Sequence, residues 1–151
     1  ARRCRFVIEA IEAMCAAVGA SRVGIKISPE MKYNDISDDN PLETHRVLLG
    51  SIGSMGLAYL HIALFGHPTD YLVELRPLFR GPCFAGGGLD RDKAEELVTS
   101  GRADAAAFGT LYVGNPDLDV RFLRGAPLND SDRATFYSPG PEGYIDYPSL
   151  G

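Results

Sequence analysis

The segment PCFAGGGLDRDKAEELVTSGRADAAAFG, residues 82–109, holds one whole turn of the pattern that decides the fold. Pro82 to Ala85 reads as a short apolar strand running into Gly86, Gly87 and Gly88. Asp90 then caps a helix carrying Ala94, Leu97 and Val98 on one face, and Gly101 ends it. Ala103 to Phe108 is the next strand, closed by another glycine, Gly109. Strand, glycine turn, capped helix and strand form the repeating unit of a parallel sheet, whose neighbours must be joined by a crossover.

Reading upstream, the unit recurs. Tyr71 to Phe79 is a short helix, preceded by the strand Leu57 to Leu64, with Leu60 and Ile62 opposite Tyr59, His61 and Ala63. Asn40 before Pro41, with Glu43 three positions on, signals a helix start and a capping box, and the helix runs to about Met55. Val23, Ile25 and Ile27 alternate with Gly24, Lys26 and Ser28, so Lys26 faces away from the aliphatic side of a first strand. Val7, Ile11, Met14, Cys15 and Val18 make residues 2–18 an amphipathic helix, stopped at Gly19, whose apolar stripe must cover something. Downstream, Pro116 to Arg124 is one more helix, and residues 126–151 are a tail without periodicity, expected to lie on the rest of a single partial domain. The class is α/β with about four βα units. An open doubly wound sheet fits this length, whereas a (β/α)8 barrel of about 250 residues would be only half present.

The 151 residues are 45% hydrophobic and 23% charged, enough for one packed domain or a piece of one. A net charge of −5 excludes the basic footprint of a phosphate-backbone binder, so nucleic acid is not an expected partner. No apolar run reaches the roughly 18 to 20 residues of a membrane span. Ala1 in place of Met, with Arg2, Arg3 and Arg5 leading straight into a helix, points to a fragment or processed product without a secretory leader. Cys4 and Cys15 lie roughly 16 Å apart along one helix and cannot pair. With Cys83 they make an odd total without metal-ligand spacing, which argues against a disulfide framework or a zinc site and suits the reducing cytoplasm.

Chemistry is concentrated at the strand ends. The Gly86–Gly88 turn and Gly109 let backbone N–H groups approach an anion beside helix N-termini, and two such turns suggest one phosphate; tight turns alone are the competing account. There is no Walker loop and no G-x-G-x-x-G. Lys26, two residues before Ser28-Pro29, is placed to neutralise a developing anion or to pair with a carboxylate. His61 reads as a hydrogen-bonded core group before it reads as an acid or base, while His45 and His67 read as solvated. No Ser-His-Asp or Cys-His set can be assembled, and no catalytic residue is assigned.

Taken in order, Arg3-Cys4-Arg5-Phe6, Val23-Gly24-Ile25-Lys26-Ile27-Ser28-Pro29, Ala103-Asp104 to Phe108-Gly109, Asn115-Pro116-Asp117-Leu118, Asp132-Arg133 with Thr135-Phe136-Tyr137, and Gly143-Tyr144-Ile145-Asp146-Tyr147-Pro148 resemble the Old Yellow Enzyme family. The resemblance spans the chain. It implies the C-terminal half of an FMN-containing (β/α)8 barrel, strands five to eight, in a family that takes hydride from NAD(P)H and reduces the activated C=C bonds of enones.

Carried over by position, Lys26 stands beside the flavin N1/O2 edge, where most members have Arg; the charge is kept and the donor fork is lost. Gly87 and Gly88 match the turn that offers N–H groups to the FMN phosphate, and Gly109 matches the second such turn. Thr110 stands where the family has an Arg that pairs with that phosphate. Phe136 and Tyr137 match the aromatic pair near the flavin and the substrate entrance, with packing of the tail as the alternative. The family's His-x-x-His/Asn pair and its proton-donating tyrosine would lie upstream of Ala1. The expected function is therefore that of a fragment of an FMN-dependent NAD(P)H ene-reductase, with NAD(P)H as reductant and an electrophilic alkene as substrate. It would depend on the missing half or on self-association; the alternative is a non-catalytic half-barrel that binds flavin or phosphate, or self-associates.

Overall fold

A computed structural model describes residues 2–151, in two compact units, one running to Ala107 and the other Phe108–Gly151. The first unit contains a four-stranded, all-parallel sheet in the order β1-β2-β3-β4, formed by Gly24–Ile27, Tyr59–Ala63, Cys83–Gly86 and Ala105–Ala107. The helices α1 (Arg5–Val18), α2 (Pro41–Ile52), α3 (Tyr71–Leu75) and α4 (Arg91–Thr99) alternate with these strands. Sequential order in a parallel sheet with intervening helices is the βα succession of a barrel wall.

The strand pattern sorts the side chains. Ile27, Leu60, Ile62, Cys83 and Ala85 are buried in the common core with Ile11 of α1, Leu49 and Ile52 of α2, Leu72 and Leu75 of α3 and Leu97 of α4. Each fully buried Leu or Ile contributes about 1.5–3 kcal/mol, so this face holds the unit together. The alternate positions, Gly24, Lys26, Tyr59, His61, Phe84 and Gly86, point the other way. There Tyr59 and Phe84 stack with centroids 5.0 Å apart. Gly24 is required beneath them, since a Cβ would lie 2.3 Å from the Tyr59 ring.

The N-caps form at the expected residues: Asn40 Oδ1 accepts the Glu43 N–H at 3.3 Å with Pro41 at the first helical position, and Asp90 Oδ1 accepts the Lys93 N–H at 2.8 Å. The Asn40 N–H, however, donates to Asp38 Oδ1 at 3.0 Å in place of the Glu43 carboxylate expected to close a capping box. Two further expectations fail. Of the α1 stripe only Ile11 is buried, while Met14 and Val18 stay about half exposed, because α1 flanks the end strand β1 and α2 covers only part of it. Val98 is likewise exposed, since the covered face of α4 is Ala94 and Leu97.

In the second unit, α5 (Thr110–Gly114) was not legible, being too short to display a helical period; α6 (Leu118–Arg124) follows it. Arg121 is buried and holds this unit: it donates to Asp117 Oδ1 at 2.7 Å, to the Pro127 carbonyl at 2.6 Å and to the Pro148 carbonyl at 2.8 Å. Asp117 Oδ2 accepts the Leu150 N–H at 2.7 Å, and that bond, then Arg121, holds its carboxyl below the usual range. The tail is fastened by polar side chains, which explains its lack of hydrophobic period.

Candidate functional site

The C-terminal ends of β1 and β3 carry the candidate residues of the first unit. Lys26 pairs in register with His61 and His61 with Phe84, so the three form one row on the face opposite the core. The Lys26 side chain is exposed, and among the described residues no carboxylate lies within ion-pair distance of it. A strand that fixes a lysine without giving it a partner leaves the charge available to a ligand.

His61 departs from expectation: its Nε2 is buried with no hydrogen-bond partner. The imidazole is pressed against Gly86, where a Cβ would lie 2.5 Å from Nε2. Desolvation, and then the charge of Lys26, push its pKa down, so the ring is neutral. It is a packed spacer behind the glycine turn.

Beyond Gly86 the chain turns through Gly87 and Gly88 at φ +91° and +72°, a region that favours glycine. A Cβ on Gly87 would stand 3.1 Å from the Phe65 nitrogen. Neither glycine N–H is engaged by a carbonyl among the described residues, so both donors are free. The turn forms one wall of a cleft of about 460 Å3, with Leu64, His67, Asp70, Lys93 and Arg102 among its other lining residues.

His67 is not solvated as its Gly-His-Pro context suggests. Its Nε2 is buried without a partner, and Nδ1 stands 3.5 Å from Glu30 Oε2. Glu30, at φ +58°, also accepts a hydrogen bond from the buried Tyr71 hydroxyl at 2.5 Å. That bond holds the Glu30 carboxyl below its usual value, while burial, then Glu30, push the Tyr71 phenol up to about 12. This cluster ties the loop after β1 to the start of α3, and a separation of 41 residues left no signal for it in the sequence. His45 is half-buried too, with Nδ1 2.7 Å from the Pro41 carbonyl.

The remaining candidates lie in the second unit. Gly109 precedes α5, whose first residue is Thr110, and no side chain caps it. Phe136 is half-buried at the end of a 3-10 turn, and Tyr137 is 96% exposed, so the two aromatic rings have different surroundings. Among the described residues no cluster of His, Cys, Asp or Glu could hold a metal, and no helix is long and apolar enough to cross a membrane.

Comparison with known proteins gives this arrangement its class. The family model described as NADH:flavin oxidoreductase / NADH oxidase matches residues 1–129, and the chain belongs to that family. It is 41% identical to a putative 12-oxophytodienoate reductase 2 of Oryza sativa subsp. japonica, over 98% of this chain and 42% of the relative. It is 39% identical to a probable flavin mononucleotide-dependent alkene reductase of Leishmania infantum, over 98% of this chain and 41% of the relative. Among solved structures, morphinone reductase in complex with tetrahydroNAD superposes with TM-score 0.90 at 37% identity, over 99% of this chain and 41% of that one. The old yellow enzyme of Trypanosoma cruzi superposes with TM-score 0.92 at 31% identity, over 99% and 41%. The chain thus spans about two-fifths of the length of these relatives, and its sheet and helices are part of a (β/α)8 barrel.

Proposed function

We propose that this chain is the flavin-holding part of an FMN-dependent NAD(P)H oxidoreductase that reduces the activated C=C bonds of enones. The observation that carries the reading is a partnerless lysine, Lys26, near the C-terminal end of β1, together with two free N–H groups at Gly87 and Gly88 just past the C-terminal end of the parallel strand β3. A cation and an N–H turn on one parallel-sheet edge are the donor set that a flavin mononucleotide requires, one for the ring edge where charge accumulates and one for the phosphate. FMN, when bound, supplies hydride acceptance from the nicotinamide and hydride donation to the alkene.

The chain's own part is to hold and polarise. Lys26 stabilises negative charge at the N1/O2 edge as a point charge, without the bidentate geometry of a guanidinium. Gly87 and Gly88 donate to the phosphate; in the second unit Gly109 and the neutral Thr110 hydroxyl are assigned to cofactor binding. Phe136 and Tyr137 are assigned to the substrate entrance. Three free cysteines suit a cytoplasmic setting.

The experiment is a visible spectrum of the purified chain with added FMN, followed by ultrafiltration. Retained yellow flavin, lost in Gly88→Val, is the expected result. No retention by the wild-type chain would overturn the assignment of binding to these residues. A second reading, a flavin-binding or self-associating module without turnover, is favoured by the lack of any acid–base pair among the site residues. Retained flavin that NADPH and an enone still fail to turn over once the rest of the (β/α)8 barrel is supplied in trans would establish it.

A further inference from the structure

Hydrogen bonds reinforced by charge are roughly twice as strong as neutral ones, so an anion held by backbone N–H groups gains from a nearby cation. Two cations, Lys93 and Arg102, line the cleft shared with Gly87 and Gly88. They are committed differently. Arg102 donates from Nη2 to Asp70 Oδ2, 32 residues away, in a pair that ties the cap of α3 to the approach to β4. Lys93 has as its acidic partner Asp90, three residues back, with Nζ 3.3 Å from Oδ2 and side chains 64% and 59% exposed. Asp90 does not depend on that contact, because its other oxygen caps α4, and this backbone hydrogen bond is the chief cause that holds its carboxyl below the usual range. An exposed pair of this kind contributes little, so the Lys93 ammonium can turn to an anion at little loss.

We propose that Lys93, in the first turn of α4, supplies the positive charge of an anion site, acting with the Gly87 and Gly88 N–H groups on a phosphate monoester. The identity of that ester as FMN rests on the flavin reading above; the anion itself does not. Glu96 lines the same cleft and has no cationic partner among the described residues, so it opposes the same anion.

The test uses the full chain, with inorganic phosphate followed on the amide signals of Gly87 and Gly88, and with FMN and riboflavin compared in parallel. Lys93→Met is expected to weaken phosphate and FMN about tenfold and to leave riboflavin unchanged; Glu96→Gln should tighten both anions. Lys93 is exposed, so a thermal melt matching wild type confirms that the variant folds. Equal FMN-to-riboflavin ratios and equal phosphate titrations in wild type and Lys93→Met overturn the proposal and leave the flavin reading intact. Phosphate shifts at the two glycines that weaken in Lys93→Met, with no flavin retained, overturn the flavin reading and keep this one. Absence of any phosphate effect at Gly87 and Gly88 also overturns it.

Discussion

Tyr71 and Arg121 are the residues whose single side chains carry most consequence. Tyr71 is buried with its hydroxyl on Glu30, and its phenol titrates at about 12 instead of the ordinary 10. The unfolded chain therefore gives up this proton first, and the protein loses stability as pH rises from about 10 to about 12. Tyr71→Phe should remove that alkaline loss and cost about 1 kcal/mol near neutrality, read from urea midpoints across pH. Arg121→Ala should cost about 3 kcal/mol, since a buried guanidinium with one carboxylate and two carbonyl partners disappears, and Arg121→Lys should recover little because an ammonium cannot span that fork. Neither residue announced itself in the sequence. Tyr71 acts through Glu30, 41 residues away, and Arg121 binds the Pro148 carbonyl 27 residues on as well as its neighbours Asp117 and Pro127; a composition or a period carries no information about such distant pairs.

At the scale of the element, the strands and helices of the first unit were legible where a local cause is displayed: alternation in β1, the Asn40 and Asp90 caps, the Gly101 stop. What alternation leaves open is how two neighbouring strands fit. Gly86 lies where the His61 imidazole requires its space, so Gly86→Ala must displace the ring, with the Ala107 carbonyl closing the other side at 3.1 Å. The substitution should destabilise the protein, and less so in a His61→Ala background; additive effects in that double-mutant cycle would refute the packing argument. Because the folded pKa of His61 is depressed, the unfolded chain binds the proton more readily, and stability falls as pH drops through the ordinary imidazole value of 6.5. His61→Gln should flatten that acid slope in chemical denaturation.

For the whole molecule, the relevant facts are a sheet with β1 at one end of its order and an α1 that leaves Phe6, Met14 and Val18 exposed at 80%, 47% and 54%. Apolar helix surface beside a terminal strand is a surface for association. The 151-residue chain by itself should sediment as more than a monomer at tens of micromolar, and Phe6→Glu with Val18→Lys should shift it toward the monomer. A monodisperse monomer for the wild-type chain over that range would contradict the expectation.

The sequence by itself determined the α/β class, the order of the βα units, the placing of Lys26 away from the aliphatic face and the glycine turn after β3, because each depends on residues within a few positions of one another. It also carried the resemblance to the flavoprotein family. Only the tertiary structure decided that Lys26 lacks a carboxylate partner, that His61 and His67 are buried and unpartnered at Nε2, and that Leu64 and Asp70 close a cleft over Gly87 and Lys93. Those facts depend on which side chains meet across 20 to 40 residues of chain, roughly the length of a βα unit, and that meeting is set by packing of the core face, not by local pattern.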